Sequence, residues 1–225
     1  MSTTLKPFGM KPVYHPSGLD RSVPFNGTNS FVTGTPSFSA AYTLSSGQSF
    51  YQYQPVGLDA SGNLTIASTT GTGGATATLV YGVFDGVEYT NSDGRRSVAK
   101  YASKTTLDAS TQIIFWIFQD PNIVYEIQAA GSIASTKIGA QYNFSATSGY
   151  TTADGTSIGS GGAGFSTTAL NPTAVASAAQ GQVRVVGLGR EVAWPNGELN
   201  AWGDTNTIVQ VQIANNSFVA AKAAP

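Results

Sequence analysis

The sequence predicts an all-β protein, a jelly-roll or β-barrel/sandwich of about ten to twelve short strands with an extended N-terminal arm. Three observations carry this prediction. From residue 38 onward apolar and polar residues alternate with a period of two, in short runs broken by "SSGQ", "DASGN" and "NSDG". No stretch sustains the 3.6-residue period of an amphipathic helix. The one nearly continuous apolar run, "QIIFWIF" (112–118), is too short for a helix and rich in β-branched and aromatic residues.

Residues 1–29 hold Pro7, Pro12, Pro16 and Pro24. Proline fixes φ and cannot donate to a sheet, so this segment is expected to be an extended, loosely attached arm. Phe8, Val13, Tyr14 and Phe25 favour an arm that lies on a partner, since a free tail gains nothing from exposed aromatics. Its removal, through residue 24, is expected to spare folding. Residues 30–225 are expected to form a single domain. In it, "FSAAYTLSSGQSFYQYQPVGLDASGNLTIAS" gives three short strands. In "ATLVYGVFDGVEYT", Val83, Val87 and Tyr89 tend to one face, and a bulge at Gly86 would shift the register. "NSDG" then supplies Asn and Gly where a tight turn needs positive φ, and "RRSVAKY" returns as the partner strand. "QIIFWIF" reads as a central strand buried on both faces. "NIVYEIQA", "KIGAQYNFSA", "QVRVVGL" and "TIVQVQIAN" keep the period. Residues 145–181 form a long Ser/Gly/Ala-rich loop, an excursion from the domain, in which "TAVASAAQGQ" (173–182) has room for one or two helical turns before Gly181.

Composition bounds the function. Charged residues are only 10%, with 11 Lys and Arg against 12 Asp and Glu, which argues against a nucleic-acid surface or a polybasic membrane patch. Aromatic residues reach 11%, enough to build a core despite the low charge. So sparsely charged a surface is weakly protected against association and reads as one meant to be partly covered. There is no cysteine, so disulfides and thiolate metal sites are excluded. The N-terminus has no hydrophobic signal core, which predicts an intracellular product without its own export signal.

Chemistry is scarce. His15 is the only histidine and sits in the arm, a poor place for a pre-organised base. Glu88 and Glu126 lie in strands and would have to face each other to cleave a glycosidic bond. Asp120 and Asp204 precede strands where Asx turns account for them. The glycine-rich stretches lack the phosphate-binding pattern and its strand-to-helix context. No catalytic, cofactor or metal residue is therefore expected. Arg95 and Arg96 at the hairpin tip can grip an acidic neighbour, on this chain or another, through a guanidinium fork, or can form no more than a solvated turn, with a nucleic-acid phosphate as the third reading. Trp116, Trp194 and Trp202 with Tyr51, Tyr53 and Tyr150 leave open a carbohydrate-binding module that stacks on sugar rings.

Five strings, taken together, carry a resemblance: "KPVYHPSG" (11–18), "YGVFDGVEYTNSDGRR" (81–96), "DPNIVYEIQA" (120–129), "VRVVGL" (183–188) and "WGDTNTIVQVQIAN" (202–215). In order and wording the chain resembles small virion structural proteins of tailed bacteriophages, among them capsid decoration, or cement, proteins. The resemblance covers about residues 9–215 and fits the Ser/Gly/Ala loop poorly. It implies a jelly-roll or β-barrel body on the capsid exterior of the virion, partnered by the phage major capsid protein and by itself as a homotrimer, with no cofactor, nucleic acid or membrane partner. Capsid or inter-subunit contacts would then fall on the arm, at Lys6, Phe8, Lys11, Tyr14 and His15, and on the tip at Arg95 and Arg96. A head-fibre or carbohydrate-binding receptor module is the alternative.

Overall fold

The computed structural model describes residues 5, 7–18, 21–25, 42–44, 48–67, 79–145, 166–176, 179–190, 192–193 and 198–217. Within them seventeen short strands make up nearly all of the regular structure. The first six are β1 (Lys11–Tyr14), β2 (Val23–Phe25), β3 (Tyr42–Thr43), β4 (Ser49–Tyr51), β5 (Gln54–Leu58) and β6 (Leu64–Ile66). The middle group is β7 (Gly82–Thr90), β8 (Arg96–Ala99), β9 (Tyr101–Ser103), β10 (Thr111–Phe118), β11 (Val124–Gln128) and β12 (Gln141–Phe144). The last are β13 (Leu170–Ala174), β14 (Val183–Leu188), β15 (Val192–Ala193), β16 (Glu198–Leu199) and β17 (Ile208–Ile213). A single turn of helix, α1 (Lys104–Asp108), starts at Ser103, whose hydroxyl accepts the Thr106 N–H at 3.1 Å.

Two sheets dominate. The first has six antiparallel strands in the order β1-β11-β17-β14-β12-β13; the second runs β2-β10-β7-β5-β6-β3, with β8 also on β7. The inner face of the six-stranded sheet, with Tyr125, Ile127, Val183, Val185, Val209 and Val211, closes on Val83 and Phe118 of the other sheet to form one core. Between them the buried Tyr125 hydroxyl donates to the Phe118 carbonyl at 3.3 Å. The opposite face of the seven-stranded sheet builds a second core from Phe84, Val87, Ile113, Phe115 and Ile117, covered by Phe50 of β4, Ala102 of β9 and Leu107 of α1. Phe50, Phe84 and Phe115 form a mutual cluster there, with ring centroids 5.2 to 6.2 Å apart.

Pro12, Pro24 and Pro172 all fall in edge strands, β1, β2 and β13, where a missing N–H sacrifices no central ladder and discourages further pairing. The described part of the arm is extended, and it lies on its own chain. β1 pairs with β11, β2 pairs with β10, and Met10 is fully buried in the first core. Removing residues 1–24 would therefore strip an edge strand from each large sheet, so the expectation that the arm is dispensable for folding is replaced.

Three local expectations change as well. The bulge exists, but at Asp85–Gly86 it places Phe84, Val87 and Tyr89 toward the second core and Val83 toward the first. β10 is buried on both faces only at its Phe118 end; at Ile114 and Trp116 the face toward the first core is half-exposed. Part of the predicted loop at 145–181 is strand β13, and no helix occurs among the described residues of 173–182; residues 146–165 lie outside the described set.

The turn between β5 and β6 is tied by one carboxylate. Asp59 accepts the Ser61 and Asn63 N–H groups at 2.8 and 2.9 Å and the Thr43 hydroxyl at 2.6 Å. The Thr43 hydroxyl first, then the Asn63 N–H, hold the Asp59 carboxyl down to about 2 from 3.8. A depressed folded-state value means that its contribution is complete above about pH 4 and lost as pH falls toward 2. An NMR titration of the Asp59 side-chain carbon should find a midpoint near 2, and Asp59→Asn should flatten the acid limb of stability against pH. A midpoint at an ordinary aspartate value would contradict the assignment.

Candidate interaction surfaces

The hairpin formed by β7 and β8 is built as its residues dictate. The Asn91 N–H donates to the Arg95 carbonyl at 2.8 Å, the Gly94 N–H to Asn91 at 2.9 Å, and Gly94 takes φ +80°. The carboxylate of the bulge residue Asp85 is fastened to the Ser22 hydroxyl at 2.9 Å and the Gln52 amide at 3.1 Å. The two arginines have different fates. Arg96 finds its acidic neighbour on this chain, pairing with Glu88 on the adjacent strand. Arg95 remains exposed, with Nε 3.5 Å from its turn neighbour Asp93.

Glu88 also accepts the Trp116 indole N–H at 3.0 Å, so cation and indole converge on one carboxylate. The rungs around them define a surface. One runs Ile114–Glu88–Val98 across β10, β7 and β8; the next runs Pro24–Trp116–Gly86 across β2, β10 and β7. This face continues the one that carries Val83 and Phe118 into the first core, but here the described residues leave it partly open. Val98 is 73% exposed, Pro24 is exposed, and Ile114 and Trp116 are half-buried. Among the described residues strand β8 pairs only with β7, and unlike β1, β2 and β13 it carries no proline.

A second concavity lies on the outer face of the six-stranded sheet. It encloses about 850 Å³ and is lined by Val13, Tyr14, Val124, Glu126, Val186, Arg190 and Gln210. Four adjacent strands supply it, β1, β11, β17 and β14, and these come from four of the five strings that carry the resemblance. The alternation explains the floor: Tyr125 and Ile127 turn inward to the core, so Glu126 faces out, and Val209 and Val211 do the same for Gln210. Glu126 is only 2% exposed. Its Oε1 accepts the Arg190 backbone N–H at 2.7 Å and the Gln210 amide at 3.3 Å, while Oε2 has no partner among the described residues. No Lys or Arg of the described residues stands within ion-pair distance of it.

The predicted arm contacts are dispersed. Phe8 is half-buried, Lys11 stands opposite Glu126 on the β1–β11 ladder, and Tyr14 is 57% exposed at the groove. Lys6 lies outside the described residues. His15 is buried, with Nδ1 accepting the Ser17 N–H at 3.0 Å and Nε2 3.2 Å from Asp120 Oδ2. That geometry puts the imidazole proton on Nε2, and it makes His15 a clamp between the arm and the start of β11. Asp120 is held below its ordinary value first by the Asn122 N–H of its Asx turn and then by His15. Glu88 and Glu126 belong to different sheets and have different partners, so they do not form a facing pair. Trp202 packs against the first core and Tyr51 tilts against Tyr101 at 5.1 Å, so these aromatics do not gather with Trp116; Trp194 and Tyr150 lie outside the described residues. Sequence reasoning did not find Val186, Arg190 and Gln210 as groove residues. A carboxylate interrupting the apolar run "IVYEI" was the available signal.

Among the described residues no group of three or more His, Asp or Glu is placed to hold a metal ion. No family model, curated protein or solved structure matches the chain.

Proposed function

We propose that this chain is a bacteriophage capsid decoration protein, a homo-oligomer that docks on the outer surface of the assembled shell and bridges neighbouring major capsid protein subunits. The observation that carries the reading is the end of the seven-stranded sheet, where the proline-free β8 edge, unpaired on its far side among the described residues, adjoins the half-buried Ile114 and Trp116 and the exposed Val98. An exposed edge offers backbone hydrogen bonds to an added strand, and the apolar face beside it offers area to bury. Arg95 and Lys100 flank that edge, so it repels a second copy of itself and favours an acidic segment of another protein. The strings that resemble phage virion proteins all map to strands and turns of the frame, which suits a protein whose work is mechanical. Many weak contacts repeated over a lattice then sum to a strong hold.

Light scattering on the purified chain, followed by sedimentation with empty shells, tests this reading. An oligomer that co-sediments near stoichiometrically supports it; a monomer left in the supernatant overturns it. The double variant Arg95→Ala, Arg96→Ala should keep its fold, because both arginine side chains are largely exposed and Glu88 retains the Trp116 indole N–H. Its docking should weaken and lose part of its salt dependence. Wild-type binding by this variant at every salt concentration would remove the tip from the interface.

A further inference from the structure

We infer that the groove on the outer face of the six-stranded sheet is a binding site for a neutral saccharide. It is independent of the docking face, which belongs to the other sheet. Glu126 is 2% exposed as a residue, and both of its hydrogen bonds among the described residues fall on Oε1. Oε2 therefore has acceptor capacity to offer a donor in the groove. Beside it Gln210 supplies an amide and Arg190 an exposed guanidinium, so acceptor and donors stand together on one floor. Val13, Val124 and Val186 make the walls apolar, and Tyr14 at the rim exposes more than half of its side chain.

Charge narrows the ligand class. An anion would meet the Glu126 carboxylate, and a cation would meet Arg190, with Lys11 on the same rung as Glu126. A neutral ligand with many hydroxyls meets neither penalty. Its hydroxyls both donate, to Glu126 Oε2, and accept, from Arg190 and Gln210, while its C–H faces cover tyrosine and valine. About 850 Å³ is within the range of small-ligand sites and holds a short oligosaccharide. The residues that do this are separated by most of the chain, from Val13 to Gln210, and meet only because β1, β11, β17 and β14 are neighbours.

The experiment is a glycan array of neutral and anionic oligosaccharides and bacterial surface polysaccharides, probed with the full chain and followed by calorimetry on the best neutral binder. Binding to neutral glycans is expected. Tyr14→Ala should weaken it roughly tenfold through loss of stacking. Glu126→Gln keeps an acceptor for the Arg190 N–H but loses the charge-assisted bond, and should weaken binding by at least about tenfold. Thermal melts of both variants within a few degrees of wild type show that the fold is intact. Silence across the array, selection of anionic glycans only, or unchanged affinity in both variants would each overturn the inference. So would hydrogen-exchange protection of residues 11–14 and 124–126 by purified shells, since the groove would then be a protein-docking surface.

Discussion

Gly9→Ala should lower the stability of the folded chain by about 3 kcal/mol or more, a fall in melting temperature of roughly 6–12 °C for a domain of this size. Gly9 has φ +78°, where any residue with a Cβ is strained. The added Cβ would collide with the Tyr53 carbonyl oxygen and stand 2.8 Å from the Ser166 Cβ. The carbonyl cannot yield. Tyr53 is itself held at φ +64°, its N–H donates to Phe84 at 2.7 Å, and its carbonyl accepts the Met10 N–H at 2.8 Å. Strain and overpacking therefore add. Gly62→Ala separates them, since Gly62 shares the φ of +78° but has nothing within 4 Å of its would-be Cβ. That variant should lose only about 1 kcal/mol. Equal melting of the two variants would show that residues 9 and 10 are not seated against Tyr53. The result bears on function, because an arm locked into its own core cannot reach across to another subunit over the length that the sequence suggested.

Much of this frame was legible in the sequence, and the failures have physical causes. Alternation of apolar residues survives folding wherever one face is buried, so β14, β17 and the β7–β8 hairpin were read correctly. "NSDG" signalled its own turn because Gly94 needs positive φ. The face of Val83 was misread because a bulge reverses parity, and only the pairing with β10 shows where the bulge falls. "LNPTA" was missed as β13 because it is an edge strand that contains proline and buries little. In "QIIFWIF", an apolar residue at every position reports that both faces avoid water, without saying whose atoms cover them. The groove was invisible for a topological reason: its floor and walls come from strands that are distant in the chain. No local pattern can announce a site that only long-range pairing assembles.

Val98→Lys should reduce binding to assembled shells by about 30-fold or more while leaving the melting temperature near that of wild type. Val98 is 73% exposed, so its own chain gains little from its burial. Directly across the ladder stands Glu88, which a lysine would meet as an opposite charge. The fold therefore has no reason to object. Docking does, because a charged, flexible side chain at the middle of a four-residue edge strand must be desolvated before another strand can pair there. Losing one central contact of this kind removes about 2 kcal/mol per docked subunit, the scale of a hot-spot residue. The tip arginines, at the rim, should act mostly on association rate and salt dependence, whereas Val98→Lys should act on dissociation. Wild-type shell occupancy by well-folded Val98→Lys would show that the open end of the seven-stranded sheet is not where this protein docks.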